Sequence, residues 1–537
     1  MKKRLSTTET ELAKSEVEEY LYLRQERRRL FPLAALVGLS AGIVAVLFRG
    51  ALSAADTLRN LLITKAHEQP LWGWIFPMLY SAGGAILSLF LVRRYAPETS
   101  GSGIPHLEAV LQRIRNLDWS RVLPVKFFAG LFAIGSGLVL GREGPTVQMG
   151  GAVGDAISRA LKVSPRERLT LIAAGAGAGL AAAFNAPLSG LVFVLEEVQR
   201  DFHPVIFGTA FLAAAVADIV ARLGADPFPV FSVIKYPTPP LETLPAFAFL
   251  GIIAGGLGVL FNRSLVASLN FYERVKNKLL AAGIMGALIG LTGWVVPIAI
   301  GNGHPLAELT MGGQISLFAI PAWFLIRFFL TVSSYGTGVP GGIFAPLLVL
   351  GALIGLAVGQ IALMIVPSAG VESAVFAVVG MAAYFTAIVR APLTGVVLII
   401  EMTGNYEQML PLLISCFFAY AVAEYLKDLP IYEFLLERDL FHNGERTDLT
   451  QPVVMDFTVQ EGSLFEGQLV RSLGLPPGCI LVRCARGRRE WVPKANTRLE
   501  ANMRITAMIE PDASEGISIL RHGCDADASL TKKENKG

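Results

Sequence analysis

Three glycine- and proline-rich motifs in this 537-residue chain carry groups that could bind an anion. They are Gly101-Ser102-Gly103-Ile104-Pro105, Gly141-Arg142-Glu143-Gly144-Pro145-Thr146 and Gly338-Val339-Pro340-Gly341-Gly342-Ile343-Phe344-Ala345-Pro346. Glycines free the backbone at these points, and proline suits the first turn of a helix. Backbone amides at helix N-termini and hydroxyl groups hold an anion without a full positive charge, and conduction needs such moderate binding. The motifs therefore predict an anion site built from helix N-termini.

The second motif also carries charge. Arg142 and Glu143 lie between two apolar segments, residues 131–140 and 147–161. Ionisable side chains inside a membrane are costly and are usually retained for function. We therefore interpret Glu143 as a candidate ion or proton site. The alternative is a structural salt bridge between Glu143 and a nearby cation.

Long apolar segments surround these motifs. Hydrophobic residues make up 53% of the chain, charged residues 17%, and the mean hydropathy is +0.53. A soluble protein of this size would carry more charge, and many segments approach the ~20 residues that span a bilayer. The clearest segments are Pro32–Phe48, Trp74–Val92, Leu244–Phe261, Leu279–Ile300 and Met409–Val422. The composition predicts a polytopic membrane protein in a lipid bilayer, and the net charge of +3 indicates no nucleic-acid partner.

The apolar region contains an internal repeat. Ala186-Pro187-Leu188-Ser189-Gly190 precedes Glu196, and Ala391-Pro392-Leu393-Thr394-Gly395 precedes Glu401. Repeated glycine- and proline-interrupted apolar segments are typical of transporters whose site lies between the repeats. From the residues alone, the relative orientation of the two repeats stays open.

The chain divides into several predicted segments. They are a cytosolic N-terminal segment at 1–31, a first membrane half at 32–222, a proline-rich linker at 223–243, a second membrane half at 244–436, a linker at 437–449, a small soluble domain at 450–512 and a disordered tail at 513–537. Four arginines between residues 24 and 29 precede the first apolar segment, and Arg93 and Arg94 follow the second. By the positive-inside rule we expect the N-terminus in the cytosol. We expect the C-terminus there as well, and a bacterial-type inner membrane.

Three motifs in this order, Gly-Ser-Gly-Ile-Pro at 101–105, Gly-Arg-Glu-Gly-Pro at 141–145 and Gly-Ile-Phe-Ala-Pro at 342–346, resemble the signature of CLC chloride channels and transporters. The resemblance covers roughly residues 33–436. It implies an all-α polytopic membrane fold of two inverted halves. It also implies a homodimer with one separate anion pathway in each subunit.

The resemblance assigns chloride ligands. Ser102 matches the family's chloride-coordinating serine, which favours chloride over nitrate, and the backbone amides of Ile343 and Phe344 match its amide donors. Tyr432 matches a tyrosine whose hydroxyl closes the central site. Without the resemblance, we would interpret Tyr432 as an aromatic anchor at a membrane edge. The neighbouring motif residues are expected to support the site: Gly101, Gly103, Pro105, Arg142, Gly144 and Pro145.

The resemblance also assigns proton-carrying residues. Glu143 matches the gating glutamate, whose carboxylate imitates a bound chloride and leaves when protonated. Glu197 matches the inner glutamate that passes protons in family exchangers; the alternative is that it caps a helix. Glu108 matches a buried family carboxylate with a structural or proton-linked role. His106 stands where well-known bacterial exchangers carry glutamate. We interpret it mainly as a surface substitution; the alternative is a histidine near the inner mouth that adds pH sensitivity.

The C-terminal part has a different character. Four stretches have the character of short strands: Val453–Val459, Ile480–Arg486, Glu490–Val492 and Ile505–Ile509. A helix is expected at Leu464–Leu473. The region resembles a TrkA-C domain, and its predicted α+β fold suggests either a cytosolic sensor of an unidentified small ligand or a passive assembly module.

The leading prediction is a chloride/proton antiporter that needs no cofactor and is not an enzyme. A passive voltage- or pH-gated chloride channel is the alternative, and Glu197 is the feature against it because channel members lack a carboxylate there. A fluoride/proton exchanger fits less well with Ser102 and Tyr432. A membrane-embedded enzyme would need a nucleophile or a metal cluster, and neither an H-E-x-x-H nor a G-x-S-x-G motif occurs in the sequence.

Overall fold

The computed structural model describes residues 7–69, 71–224, 236–367, 370–442, 452–486, 489–510, 513 and 515–524. The chain forms two compact units. The first consists of residues up to 107 together with 117–435, and the second consists of residues 108–116 together with the chain from 436 onward.

The described residues of the membrane region lie mainly in helices. Its first half contains α1 (Thr7–Ala66), α2 (Ile75–Tyr95), α3 (Ile104–Leu111), α4 (Trp119–Gly135), α5 (Glu143–Ala160), α6 (Pro165–Phe184), α7 (Pro187–Phe193) and α8 (Pro204–Gly224). Its second half contains α9 (Leu244–Arg274), α10 (Lys278–Val295), α11 (His304–Met311), α12 (Ile320–Gly336), α13 (Phe344–Ile365), α14 (Ser373–Val389), α15 (Pro392–Thr403), α16 (Met409–Tyr425) and α17 (Ile431–His442).

Seven helices among the described residues are long and apolar enough to cross a membrane. They include α1, α2, α9, α10 and the helical segment that contains α16, so the five apolar segments singled out in the sequence are confirmed as helices. The predicted N-terminal segment at 1–31 is not a separate element, because α1 continues from Thr7 to Ala66 through Pro32. Of the predicted linker at 223–243, residues 225–235 lie outside the described residues.

The two halves repeat the same order of elements. Helices α3 and α11 have eight residues each, and each follows a Gly-x-Gly motif. Helices α4 and α12 have 17 residues each. The halves meet as antiparallel segments at Gly141 and Gly342, where each backbone amide donates to the other residue's carbonyl at 2.7 Å. Such an exchange of hydrogen bonds is what two halves related by an approximate two-fold axis produce.

The second unit contains a four-stranded antiparallel sheet in the order β1-β4-β2-β3. The strands are β1 (Val453–Thr458), β2 (Cys479–Arg486), β3 (Arg489–Trp491) and β4 (Arg504–Ile509). All four predicted strands are confirmed to within about one residue. The sheet's core includes Cys484, Leu499, Ile505 and Ile509, all fully buried.

Three predictions for the C-terminal region were wrong in detail. The expected helix at Leu464–Leu473 is a series of turns with one short 3-10 helix, Val470–Ser472. Within the expected disordered tail at 513–537, residues 515–524 form α18 (Glu515–Cys524), because its apolar residues pack on the sheet, with Leu520 fully buried. Residues 525–537 lie outside the described residues. The expected linker at 437–449 starts inside α17, which continues to His442, and residues 443–449 lie outside the described residues.

The second unit also includes the last part of α3 and the turn that follows it. There Ala109, Ile114 and Leu436 form a small apolar cluster. Arg115 forms an ion pair with Asp439 at 2.8 Å, and Arg521 of α18 forms one with Glu437 at 3.2 Å. The C-terminal end of α17 is therefore tied to both α18 and the segment that follows α3.

Candidate functional site

Ser102 caps the N-terminus of α3. It is fully buried, and its Oγ accepts a hydrogen bond from the backbone amide of Ile104 at 3.3 Å. Gly101 and Gly103 on either side have φ values of +59° and +82°, a backbone region that L side chains rarely adopt. Because the Ser102 oxygen accepts from the helix, its hydroxyl hydrogen can be donated to an anion.

Lys126 of α4 holds the loop that carries Ser102. Its side chain is fully buried, and its Nζ donates to the carbonyls of Thr99 and Gly101 at 2.9 and 2.8 Å. Arg327 of α12 does the same in the other half, where its guanidinium donates to the carbonyls of Ala299, Ile300, Gly301 and Asn302. Sequence analysis missed both roles, although the repeated Gly-x-Gly-x-Pro pattern at 101–105 and 301–305 was a signal for them.

The N-termini of α3, α5 and α13 come together. The amide of Gly341 donates to the carbonyl of Gly101 at 2.9 Å. A Cβ at Gly144 would lie 2.9 Å from the Cβ of Ser102, so the first turn of α5 touches the serine directly. The glycines predicted to support the site are therefore needed for the close approach of three backbones. Pro105 and Pro145 lie in the first turns of α3 and α5, as the motifs predict.

Glu143 is the first residue of α5 and lies close to the start of α13. The residue is only 3% exposed. A Cβ placed on Gly141 would be 2.1 Å from Glu143 Oε2 and 3.2 Å from the backbone nitrogen of Ala345. The carboxylate therefore occupies the space in front of a helix N-terminus, where a negative charge is favoured. Arg142, next to it, donates to the carbonyl of Ala183 at 3.2 Å.

Tyr432 reaches the same region from the start of α17. It is fully buried, and its ring stacks on that of Phe344 with 6.2 Å between centroids and 22° between planes. Ile343 is the N-cap residue of α13 and Phe344 is its first residue, so their amides lie at the N-terminal end of that helix, where backbone amides have no partner within the helix. The structure therefore brings Ser102, Glu143, Phe344 and Tyr432 to one set of helix ends.

Glu197 lies one turn beyond Phe193, whose ring contacts Phe344 with 5.7 Å between centroids. Glu197 belongs to a π-helical turn, Val194–Val198, and is 3% exposed. It borders an open cavity of about 550 Å³, which is lined mainly by charged residues of the segments around α7, α14, α16 and α17. Arg200 Nη2 approaches Glu197 Oε1 at 3.7 Å.

Two further carboxylates, whose roles sequence analysis missed, join the halves. Glu196 accepts hydrogen bonds from the amides of Leu393 and Thr394 at 3.0 and 2.7 Å and from the Thr394 hydroxyl at 2.7 Å. Glu401 accepts from the amides of Leu188 and Ser189 at 3.0 and 2.7 Å and from the Ser189 hydroxyl at 2.6 Å. The repeat that contains both glutamates was the available signal.

His106 and Glu108 are both buried, at 7% and 3% exposure. His106 Nδ1 lies 3.3 Å from Nε2 of Gln148 on α5, so its interpretation as a surface substitution was wrong. Glu108, in the C-terminal half of α3, belongs to the second compact unit.

The family of the chain is decided by its sequence match. The profile of the family described as "Voltage gated chloride channel" matches residues 83–424, more than half of the chain. The chain belongs to this family. The motifs at 101–105, 141–145 and 342–346 indicated this same voltage gated chloride channel family. A second profile, described as "TrkA-C domain", matches residues 454–517, which contain all but the first residue of the four-stranded sheet.

Similar proteins match about three quarters of the chain of this family member. The "H(+)/Cl(-) exchange transporter ClcA" of Vibrio parahaemolyticus is 42% identical over 416 residues, 76% of this chain and 89% of that protein. The ClcA of Salmonella typhimurium is 39% identical, over 76% of this chain and 88% of its own. A solved structure described as a slow cyanobacterial Cl-/H+ antiporter has a TM-score of 0.75 at 36% identity, covering 78% of this chain and 99% of its own. The protein is therefore an integral membrane protein with the helical fold of this family.

Proposed function

We propose that this protein exchanges chloride for protons across a membrane. The observation that carries the proposal is the buried Glu143 carboxylate in front of the N-terminus of α13, beside the loop that holds Ser102. Helix N-termini stabilise an anion, and they stabilise a carboxylate in the same place equally well. Chloride and the ionised side chain therefore compete, and a proton on Glu143 removes the competitor. The relatives described as H(+)/Cl(-) exchange transporters support the same function.

Four groups are proposed as chloride donors: the Ser102 hydroxyl, the Tyr432 hydroxyl and the backbone amides of Ile343 and Phe344. They surround the ion with partial charges only, which lets the ion leave as well as enter. Arg142 and the motif glycines and prolines support this arrangement by charge and by close backbone packing. Glu108 remains a candidate for a structural or proton-linked role.

Glu197 is proposed as the inner proton carrier. It is buried in the π-helical turn that follows α7, yet it borders a charged, open cavity through which water can bring protons. The family resemblance implies that channel members lack a carboxylate at this position. Glu197 therefore favours exchange over the alternative of a gated chloride channel.

Assembly and regulation are proposed from the family relationship. The protein works as a homodimer with an anion pathway in each subunit and with both termini in the cytosol of a bacterial-type inner membrane. The TrkA-C domain acts as a sensor of a small ligand. Cross-linking in detergent tests the dimer, and protease protection in sealed, oriented membranes tests the position of the termini.

The decisive experiment measures proton movement in liposomes that contain the purified full chain. A chloride gradient is set across the liposome membrane, under conditions in which protons cross only through the protein. We expect chloride efflux to drive protons uphill. In Glu143→Ala we expect chloride to leak without proton movement, because the blocking carboxylate and its proton are both absent. In Glu197→Ala we expect chloride flux to continue with proton pumping strongly reduced.

Chloride flux without proton pumping in the native protein would overturn exchange and leave a channel. Pumping that persists at the native ratio in Glu197→Ala would leave exchange intact but remove Glu197 from the proton path. Fluoride-driven pumping that exceeds chloride-driven pumping would reassign the anion.

A further inference from the structure

Arg200 lies between two carboxylates at the edge of the open cavity. Its Nη1 contacts Glu433 Oε1 at 2.7 Å, and its Nη2 lies 3.7 Å from Glu197 Oε1. Its Nε also donates to the backbone carbonyl of Glu197 at 3.3 Å. One guanidinium therefore connects the buried Glu197, 3% exposed, with Glu433, which is about 39% exposed.

The backbone helps to hold Arg200 in this place. Its φ is +52°, in the left-handed region, two residues after the end of the π-helical turn that carries Glu197. An arginine in this conformation ends the helix and turns its side chain back over the last turn, which agrees with the bond to the Glu197 carbonyl. The close ion pair is nevertheless the one with Glu433, since that separation is shorter by 1 Å.

Glu433 is the neighbour of Tyr432 in the first turn of α17. The guanidinium thus links the segment that carries the proposed proton glutamate to the helix that carries a proposed chloride ligand. The two carboxylates share one cation, and its separation from Glu433 is 1 Å shorter than its separation from Glu197.

Other titratable groups face the cavity from the surrounding segments. They are Glu196, Arg390, Tyr420, Glu424, Lys427 and Asp428. Glu196 is held by the N-terminus of α15, and Arg390 pairs with Glu424 and Asp428 at 3.5 and 3.9 Å. Among the contacts that the structure describes, Arg200 is the charged side chain that reaches Glu197 itself.

We propose that Arg200 is a positioning residue for the inner proton step, and that Glu433 sets its effect by drawing the guanidinium away from Glu197. This inference rests on the proposed role of Glu197 as the inner proton carrier. With Arg200 held by Glu433, Glu197 feels only part of the positive charge and accepts a proton from the cavity at a higher pH. With Glu433 neutral or displaced, Arg200 closes on Glu197 and keeps it ionised.

The two substitutions therefore act in opposite directions. Arg200→Gln removes the cation that favours ionised Glu197, so the pH of half-maximal proton pumping rises. Glu433→Gln frees Arg200 for Glu197, so that pH falls. We expect each shift to be about one pH unit, the lower end for an opposite charge within ~4–6 Å because these groups are partly solvated. Because Glu433 acts through Arg200, Arg200→Gln combined with Glu433→Gln should show the same raised pH as Arg200→Gln alone.

The test measures chloride-driven proton pumping by the reconstituted full chain between pH 4.5 and pH 8. This is about the range in which a glutamate titrates when its pKa is ordinary or raised. The same substitutions are then placed in the Glu143→Ala background, where only chloride passes. There we expect chloride flux to stay near that of the background. Arg200→Lys keeps a cation and should keep the native profile, and Arg121→Gln removes an exposed arginine on α4 as a matched control.

Shifts of opposite sign, with chloride flux unchanged in the Glu143→Ala background, support the proposal. Shifts of the same sign, no shift, or a parallel loss of chloride and proton flux in both single variants would overturn it. If Arg200→Gln does not fold, the sign of the shift in Glu433→Gln decides the question. A native protein that moves no protons would contradict the proposed function itself, whereas a pumping protein that depends on Glu197 but shows no shifts would contradict only this inference.

Discussion

Glu196 and Glu401 cap each other's half of the protein. The carboxylate of Glu196 accepts hydrogen bonds from two backbone amides and one hydroxyl at the N-terminus of α15. The carboxylate of Glu401 accepts hydrogen bonds from two backbone amides and one hydroxyl at the N-terminus of α7. Each glutamate lies 10 residues after the alanine that starts its own repeat, so duplication of one element creates both caps. The exchange joins two halves whose paired residues are about 200 positions apart in the chain.

Loss of either cap should lower stability. Glu401→Gln places an NH₂ group or a weaker acceptor against buried donors, so we expect a loss of about 1–3 kcal/mol. Glu196→Gln should cost less, because Glu401 is 9% exposed whereas Glu196 borders the open cavity. Thermal loss of the monodisperse protein in detergent measures both, with Glu242→Gln at an exposed position as the control. Equal midpoints for Glu401→Gln and Glu242→Gln would contradict the cap.

Lys126 and Arg327 have equivalent roles in the two halves. Comparing their substitutions should distinguish an effect on the chloride site from a general effect on stability. Lys126→Met should reduce chloride affinity about tenfold, roughly 1.4 kcal/mol, because the carbonyl next to Ser102 loses its donor. Arg327→Met removes the equivalent hold on the 299–302 loop, which carries no proposed chloride ligand. Calorimetric titration with chloride should therefore distinguish them. A similar loss of affinity in both variants would mean that the effect spreads through the whole fold.

The close contact at Gly144 should not tolerate a side chain. In Gly144→Ala the new Cβ would lie 2.9–3.0 Å from Ser102 atoms, so either α5 or the serine loop must move. We expect chloride affinity to fall at least about tenfold, the effect of roughly 1.4 kcal/mol. Gly83→Ala is the matched control, because nothing lies within 4 Å of its Cβ and alanine is favoured in a helix by up to about 1 kcal/mol. Native chloride affinity in Gly144→Ala would rule out the tight contact.

Removing the hydroxyl of Tyr432 should lower chloride affinity, whereas removing the hydroxyl of Tyr384 should not. Tyr432→Phe keeps the ring on Phe344 but removes a proposed chloride donor, so chloride affinity should fall while the thermal midpoint changes little. Tyr384 is also fully buried, and within the described part of the chain its hydroxyl has no hydrogen-bond partner. Tyr384→Phe should therefore leave affinity unchanged and stability equal or higher. Calorimetric titration decides, and unchanged affinity in Tyr432→Phe would remove that residue from the site.

The thiols of the C-terminal domain should react slowly while it is folded. Burial raises the pKa of both Cys479 and Cys484, so little thiolate is present near neutral pH, and the thiolate is the reactive form. We expect alkylation by iodoacetamide, followed by mass spectrometry of the separate peptides, to be slow at pH 7 and to increase as pH rises through the raised pKa values. Urea that unfolds the sheet should increase it further. Rapid labelling of Cys484 in the folded protein at pH 7 would contradict its burial in β2.

Much of the architecture was readable from local patterns. Apolar segments of the length of a bilayer predict helices because a membrane requires internally satisfied backbones, and α2, α9 and α16 confirm this. Alternating short apolar stretches predicted β1 to β4. The failure at 515–524 has a simple cause: the tail is polar in composition, but α18 places its few apolar residues on one side against the sheet.

The sequence by itself determined the class of protein, the duplicated halves and the motif residues, because those depend on composition and on short spacings along the chain. Only the tertiary structure decided that Glu196 and Glu401 are reciprocal caps, that Lys126 holds the Ser102 loop, and that Arg200 stands between Glu197 and Glu433. The physical reason is the same in each case. Buried carbonyls, amides and charges must find partners, and when local backbone is broken by glycine and proline those partners come from distant parts of the chain.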